Sequence, residues 1–316
     1  MEFVNNNDNI FISDEFGVTV NTGTRNISLG PEALKSNTGG GSNLAIGHRA
    51  LTSNTVGTEN IALGWEALKT NQYSAGNIAI GIKSLQANLD GYGNIGLGNR
   101  ALYNSSSGYE NIGIGAQSLY ANLTGYGNVA LGDLAGNLGT DDHNCTFIGW
   151  HTNNNSGGLI ENSTALGQGV QLNASNQIRI GNGNVTSIGG AVGWSIVSDG
   201  RIKKNVSENV PGLDLIMKLR PVTYQLDRVL LGEFMNDKES KADTSNSNQY
   251  YAGFIAQELY TTLSKLNYPN SIVDVPENPN DLYTVKYMEL IASLVKSIQE
   301  LQVEISILKK QSSVKM

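Results

Sequence analysis

The feature that most constrains the fold of this chain is a repeat of seventeen residues. An element of the form N-[IL]-[AG]-[IL]-G recurs, and its last glycine keeps a constant spacing. These glycines are Gly30, Gly47, Gly64, Gly81, Gly98, Gly115, Gly132 and Gly149. The matching asparagines are Asn26, Asn43, Asn60, Asn77, Asn94, Asn111 and Asn128. A unit this short cannot hold a helical hairpin, which needs about 33 residues. Alternation such as NIALG, followed by turn-forming residues, therefore predicts one turn of a β-solenoid per unit.

The repeat also predicts how each turn is packed. We expect the Ile and Leu of the alternating element to form a thin apolar core, and the Ala or Gly between them to allow another backbone to approach. One rung buries little, so stability is expected from stacking and from association of chains. Five tyrosines keep the period and predict a stacked aromatic ladder, with a sugar-binding face as the alternative. They are Tyr92, Tyr109 and Tyr126, and separately Tyr103 and Tyr120.

Composition excludes several classes of function. Charged residues make up 16% of the 316 residues and the net charge is -7, which argues against a nucleic-acid-binding surface. The first residues resemble no secretory signal and no apolar run approaches the length of a membrane span, so we expect synthesis in the cytoplasm. The lone Cys145 excludes an internal disulfide.

Residues 137–165 break the repeat and predict an inserted loop region. His143, Cys145 and His151 lie there, but their spacing fits no zinc rule, so no metal is expected. The glycines follow no phosphate-binding pattern, so no cofactor is expected either.

The composition changes near residue 200. Of 37 glycines, 34 lie at or before Gly200, whereas 14 of the 21 Lys and Arg residues lie after it. Two different regions therefore meet at the stretch WSIVSDGRIKKN.

Three motifs after this junction, SDGRIKKN, LRPVTYQL and YAGFIAQEL, resemble the intramolecular chaperone, auto-processing domain of phage endosialidases, tail spikes and tail fibres. The resemblance covers about residues 198–310. The repeats resemble the head repeats of trimeric autotransporter adhesins and the shafts of phage tail fibres. These resemblances imply a homotrimer. Gln257 and Glu258 belong to the third motif, and we expect structural roles for them.

The chaperone resemblance also implies a catalytic dyad of Ser198 and Lys203, which would cut the chain between Val197 and Ser198. A serine needs a base to take its proton, and a lysine is a base only when neutral. The spacing does not by itself bring the pair together. Positions five apart share no helix face, and they point to opposite sides of a flat strand.

Two neighbouring features bear on this dyad. Gly200 would allow the segment to bend, whereas Lys204 would share a flat strand face with the serine. Lys204 and Arg201 are candidate cations for lowering the pKa of a neighbouring lysine. The alternative interpretation of SDGRIKKN is a solvated turn followed by a charged edge.

The C-terminus carries a heptad seam. It consists of Tyr287, Ile291, Leu294, Ile298, Leu301, Ile305 and Leu308. Ile at a and Leu at d would favour two strands, whereas the resemblance implies three; we expect a trimer because the preceding domain would also pack against its copies. A helix packed on its own domain is the alternative. A polar loop is predicted at residues 232–250.

The predicted fold is thus a mainly β trimeric solenoid followed by an α+β chaperone domain that ends in a coiled-coil helix. The predicted segments are an attachment segment (1–25), the repeat shaft (26–166), the shaft end and junction (167–197) and the chaperone domain (198–316), with the coiled coil at 287–310.

The predicted function is that of a tail fibre or spike of a phage or phage-like contractile injection particle. The chain would bind a baseplate or fibre protein through its N-terminus and a glycan or protein receptor on the host surface. The mature form would be extracellular, on the particle, and the only enzyme activity would be a single self-cleavage. The alternatives are a bacterial trimeric surface adhesin, a polysaccharide-degrading spike and, less favoured, a membrane-bound transcription factor.

Overall fold

A computed structural model describes residues 2–6, 8–13, 22–234, 249–269, 271–279 and 281–313. The chain divides into two compact units: residues up to Val185 together with those from Val229 to 242, and Thr186–Arg228 together with residues from 243 onward. The expected attachment segment 1–25 and loop 232–250 lie partly outside the described residues.

The first unit is a β-solenoid of about ten turns. Its strands are β1 (Glu2–Asn6), β2 (Asn9–Ser13), β3 (Ile27–Leu29), β4 (Leu44–Ile46), β5 (Ile61–Leu63), β6 (Ile78–Ile80), β7 (Ile95–Leu97), β8 (Ile112–Ile114), β9 (Val129–Leu131), β10 (Thr146–Ile148), β11 (Asn153–Asn154), β12 (Thr164–Leu166), β13 (Gln171–Leu172) and β14 (Ile178–Ile180). All except β11 and β13, which pair with each other, form one twelve-stranded sheet. β1 and β2 form an antiparallel hairpin, and all other neighbours in the sheet are parallel. From β2 to β10 they pair one repeat apart, as Ile61 does with Ile78.

The strands of the repeat turn their middle residue inward. In β4 to β9 that residue is Ala or Gly and is buried, while the flanking Ile, Leu or Val is exposed or partly exposed. The interior is filled by the leucines of the repeat, which are Leu34, Leu51, Leu68, Leu85, Leu102 and Leu119. The expectation that the strand Ile and Leu form this core is therefore wrong. The rung is too narrow for them, because a Cβ on Gly96 would already lie 2.5 Å from Ser84 Oγ and would touch Leu85 Cγ at 3.4 Å.

The solenoid continues through residues 137–165, so the expectation of an inserted loop region there is also wrong. β10 pairs with β9 in the regular register, and β12 follows after one extra residue, with Thr164 opposite Thr146. The repeat is hard to recognise in the sequence here because a large and a small core residue have exchanged positions. Phe147 replaces the small strand residue, and Gly136 replaces the leucine; a Cβ on Gly136 would lie 2.9 Å from the Phe147 ring. The exchange keeps the core filled.

Two columns of buried asparagines hold the rungs together. In the first, each Oδ1 accepts from the backbone N–H of the next asparagine at 2.8–3.0 Å; the column runs through Asn9, Asn26, Asn43, Asn60, Asn77, Asn94, Asn111 and Asn128. In the second, Asn37, Asn54, Asn71 and Asn88 are joined by amide–amide bonds of 2.8–3.0 Å. These bonds satisfy the polar groups of a narrow rung, which would be costly to bury unpaired.

The predicted aromatic ladder is confirmed. Tyr92, Tyr109 and Tyr126 stack with centroids 5.0 and 4.9 Å apart, and His143 extends the stack at 4.1 Å from Tyr126. Burial within the stack, and then its neighbours Tyr126 and Tyr92, raise the pKa of Tyr109. Because the ring faces within the stack cover one another, this geometry favours the structural role over sugar stacking.

The elements after the junction are short, apart from two helices. They are a 3-10 turn (Gly200–Ile202), α1 (Leu213–Ile216), β15 (Val222–Tyr224), α2 (Arg228–Phe234), β16 (Tyr251–Gly253), α3 (Ala256–Lys265), β17 (Val273–Asp274), β18 (Thr284–Val285), a second 3-10 turn (Tyr287–Glu289) and α4 (Leu290–Ser313).

The second unit is held by a small core. β15 pairs with β16 and β17 with β18, both antiparallel. Six buried side chains form the core: Leu215, Leu259, Leu263, Ile272, Val273 and Leu290. The predicted mixed α/β region ending in a long helix is confirmed. Among the described residues, no helix has the length and apolar character needed to cross a membrane.

Candidate self-cleavage site

A capped turn follows the junction. The carboxylate of Asp199 accepts a hydrogen bond from the backbone N–H of Arg201 at 2.9 Å and so caps the 3-10 turn Gly200–Ile202. Asp199 and Lys203 on either side of the turn have extended backbone. Asp is a favoured capping residue because its short side chain reaches the backbone two residues on. The chain therefore bends between Ser198 and Lys203.

This turn brings the two predicted dyad residues together. Lys203 Nζ donates a hydrogen bond to Ser198 Oγ at 2.9 Å. That distance is within the range expected for a nucleophile and its base. The spacing of five alone did not predict the contact, because neither a helix nor a flat strand provides it. The dipeptide Asp199–Gly200 was the available signal, since Asp-Gly is a common turn sequence.

The charges beside the dyad are arranged within the same turn. Arg201 Nε lies 3.0 Å from Asp199 Oδ2, and this hydrogen bond lowers the pKa of Asp199 and raises that of Arg201. Arg201 was expected as a cation acting on the lysine, but its charge is compensated by Asp199. Ser198, Lys203 and Lys204 are all exposed on the single chain.

The peptide bond that would be cut is open to solvent. The Val197 side chain is 79% exposed, and the segment before it is exposed throughout. In one chain the site thus holds a nucleophile, an adjacent amine and an accessible carbonyl, but nothing that excludes water from them.

The downstream motifs join the short elements of the second unit. Arg220 of LRPVTYQL and Glu258 of YAGFIAQEL form an ion pair, with Nε 3.0 Å from Oε2. The pairing with Arg220 lowers the pKa of Glu258. Glu300 of α4 accepts from the backbone N–H of Leu213 at 2.8 Å and so caps α1. These contacts give Glu258 a structural role.

Helix α4 uses two faces differently. Leu290, Ser293 and Ser297 are buried, on the side that contacts α1. The heptad seam lies on another face, where all seven residues from Tyr287 to Leu308 are exposed. The helix therefore packs on its own domain with one face and exposes the heptad seam on another.

The residues considered for metal binding are placed in the solenoid. Cys145 is fully buried, and burial raises the pKa of its thiol to about 12. His143 is stacked on Tyr126, and His151 lies beside Trp150. No group of three or more His, Cys, Asp or Glu side chains in the described ranges is placed to hold a metal ion.

Comparison with known families identifies the region after the junction. Residues 198–268 match the family model described as peptidase S74, chaperone of endosialidase. No curated protein and no solved structure matches the chain. The family match begins at Ser198 and spans the capped turn and the elements from α1 to α3. It supports a role as an intramolecular chaperone in trimer formation in tail-spike-like proteins.

Proposed function

We propose that this chain forms a trimeric shaft whose chaperone region aligns three copies and then cleaves itself off. The observation that carries the proposal is the outward face of the solenoid sheet. In the sheet strands from β2 to β14, the two outward positions are Ile, Leu or Val, except for Thr146 and Thr164. A contiguous apolar surface that extends over a whole sheet is uncommon on monomers and is typical of an interaction surface. At about 4.8 Å per strand, the face is long enough for a shaft contact between copies.

The same face explains why a chaperone is needed. Its composition hardly varies from rung to rung, so a copy displaced by one repeat meets nearly the same side chains. Such a slip leaves only a single rung at the end without its partner. Register is therefore weakly specified by the shaft. A C-terminal region that trimerises first, through the α4 seam, would fix the register before the rungs pack.

The cleavage follows from the dyad. Neutral Lys203 takes the proton of Ser198 Oγ, which attacks the carbonyl carbon of Val197. The Val197–Ser198 C–N bond breaks, and the amine of Ser198 leaves with a proton, so that an ester joins the Val197 acyl group to Oγ. Water then hydrolyses the ester, releasing a carboxylate at Val197 and restoring the serine hydroxyl.

Assembly would determine when the chain is cleaved. A lysine side chain in water has a pKa of about 10.4, and burial lowers the pKa of lysines. Lys203 is exposed on one chain. Coverage of the turn by a neighbouring copy would supply the burial, so cleavage would follow correct trimerisation.

The proposed biological role is supported by the family match, which indicates a chaperone of tail-spike-like proteins. The chain would be made in the cytoplasm and would end on the tail of a virion or on a contractile injection particle. There the cleaved shaft would contact a receptor on the host surface, and residues 1–25 would join it to a baseplate or fibre protein. The products of cleavage, residues 1–197 and 198–316, would separate with the shaft retained.

Two paired variants test the dyad. Ser198→Ala is expected to assemble as a trimer and stay full length, whereas Ser207→Ala should be cut normally. Lys203→Ala should also stay intact, whereas Lys204→Ala should be processed. Denaturing gel electrophoresis with intact mass reads the fragments, and sedimentation reads the oligomer.

Three results would contradict the proposal. Cleavage of the Ser198→Ala chain would show that Ser198 is not the nucleophile. If Lys204→Ala stays intact and Lys203→Ala is cut, the base is Lys204 and not Lys203. A wild-type chain that stays monomeric and whole would reject the function itself.

A further inference from the structure

The junction segment, residues 187–197, makes no contacts that explain its sequence. Its residues are exposed, and Val192, Trp194 and Ile196 are 85%, 82% and 73% exposed. In the described part of the chain none of its backbone groups forms a hydrogen bond. Large apolar side chains are unfavourable in water, and the exposed backbone groups remain available to pair with another strand.

The segment has the alternation of a β-strand. Its even positions include the four large apolar residues Ile188, Val192, Trp194 and Ile196, with a glycine at position 190. The odd positions before Val197 are the small residues Ser187, Gly189, Ala191, Gly193 and Ser195. An alternation with period two gives a strand one large apolar face and one small face.

Within one chain, neither space nor backbone conformation requires glycine at two positions of this segment. A Cβ added to Gly189 or Gly193 would have no atom within 4 Å, and neither residue has the left-handed φ that favours glycine. This differs from the solenoid, where a Cβ on Gly64 would lie 2.5 Å from the Gly81 carbonyl oxygen. A glycine in a strand that needs neither space nor φ locally is typical of close approach by another backbone.

We infer that residues 187–197 form a β-strand only when copies of this chain associate, with the small face against the backbone of a second copy and the large face in the apolar centre between copies. The inference rests on the proposed trimeric function. We take the partner strand to come from a second copy because the segment lies in sequence between two exposed apolar surfaces to which copies are proposed to bind. These are the outward face of the sheet, which ends at β14, and the α4 seam. The paired strand would hold Val197 at its end, beside the dyad.

Hydrogen exchange of the Ser198→Ala chain, which stays uncut, tests the strand directly. In the trimer, the amides of residues 187–197 should exchange at least about 100-fold more slowly than in an unstructured peptide of the same sequence, because strand pairing protects them. Exchange at peptide rates within a proven trimer would overturn the inference and leave the proposed function standing.

A substitution on the small face provides the second test. Gly193→Val, made in the Ser198→Ala chain, places a strand-favouring residue where a single chain has open space. It should lower the yield of trimer with a protected junction at least about tenfold, because the added side chain blocks the close approach. The matched control is Gly158→Val, which also meets no atom within 4 Å but lies in a solenoid loop.

The outcomes separate the two claims. Loss of junction protection in Gly193→Val alone supports the inference. Equal behaviour of Gly193→Val, Gly158→Val and their parent, with the parent trimeric, overturns it without touching the chaperone function. A monomeric parent would overturn both.

Discussion

In the solenoid, Leu68 and its counterparts in other rungs are fully buried inside one chain, whereas in the C-terminal region Ile298 and the rest of the heptad seam are exposed. The solenoid core contains twenty buried apolar residues, and the core of the second unit contains six. Asparagine columns pair the polar groups of each rung, and no comparable network links the described elements after the junction.

The difference teaches where each region obtains its stability. A rung completes its interior from its own chain and leaves only an outward apolar face for partners. The C-terminal region leaves most of its large apolar side chains uncovered, so we expect association to supply much of its stability. This is the behaviour expected of a region that assembles first and brings the shafts together.

We expect the strongest effect from a substitution that prevents the C-terminal helices from associating. Ile298→Glu places a carboxylate in the seam of α4, where three copies would bury it, and such a charge is very unfavourable. We expect trimerisation to weaken by at least about 100-fold, measured by sedimentation of the Ser198→Ala chain. Val303→Glu changes an equally exposed valine at an f position of the same helix and should leave the trimer intact. A trimer in both variants would remove the seam from the interface.

The next effect sharpens the contrast between inside and outside of the solenoid. Leu85→Ala empties a fully buried position and should lower the free energy of unfolding by about 2–5 kcal/mol. Leu97→Ala trims an outward residue that is 40% exposed, so it should alter single-chain stability by under about 1 kcal/mol and weaken association instead. Denaturant unfolding and sedimentation separate the two quantities. A larger unfolding loss for Leu97→Ala would contradict the inward placement of the leucine column.

The third effect concerns a buried carboxylate in the solenoid. Asp142 is 2% exposed, and its Oδ1 accepts from Asn154 Nδ2 at 2.8 Å and from the Ile160 N–H at 3.1 Å. Burial raises its pKa to about 6; the two hydrogen bonds and His143 act in the opposite direction, and Asp141 adds to the rise. Because the folded-state pKa lies above the usual value near ~3.9, the folded state favours the protonated acid. The contribution to stability is therefore present at low pH and is lost as pH rises through about 6.

Asp142→Asn removes this titration. At pH 7.5 the variant should be more stable than its parent by about 2–3 kcal/mol, and the difference should shrink toward pH 4. Unfolding in denaturant across that range measures it. Asp90→Asn, at an exposed position of the solenoid, is the matched control. A constant difference at every pH would show that burial does not raise the pKa of Asp142.

The smallest effect repairs the second asparagine column. Ser105 stands where the repeat has asparagine, and Asn88 Oδ1 and Ser105 Oγ have no hydrogen-bond partner among the described residues. Ser105→Asn should donate to Asn88, as Asn88 does to Asn71, and add about 1 kcal/mol of stability. Ser107→Asn, at an exposed position of the same rung, should change nothing. A destabilised Ser105→Asn would mean that the column cannot close at this rung.

The sequence by itself determined the number of residues per rung, the positions of the strands β3 to β9 and the existence of the heptad helix. Each follows from a local regularity: the recurrence of Gly30 and its successors, the alternation around Ala62, and the spacing of Ile291 and Leu294. It also placed the family motifs, and with them Ser198 and Lys203. Periodic signals of this kind survive in any structure that repeats one backbone conformation.

The tertiary structure alone decided which face of each strand points inward, because a period of two defines two faces without ranking them. The closed rung leaves room only for a small inward side chain, because a Cβ on Gly113 would lie 3.0 Å from Ser118 Oγ and 3.3 Å from Leu102 Cγ. The bulkier strand residues therefore face out. It also decided that Lys203 reaches Ser198, since that contact depends on the turn capped by Asp199. Both outcomes depend on how the chain closes on itself in space, which neither spacing nor composition records.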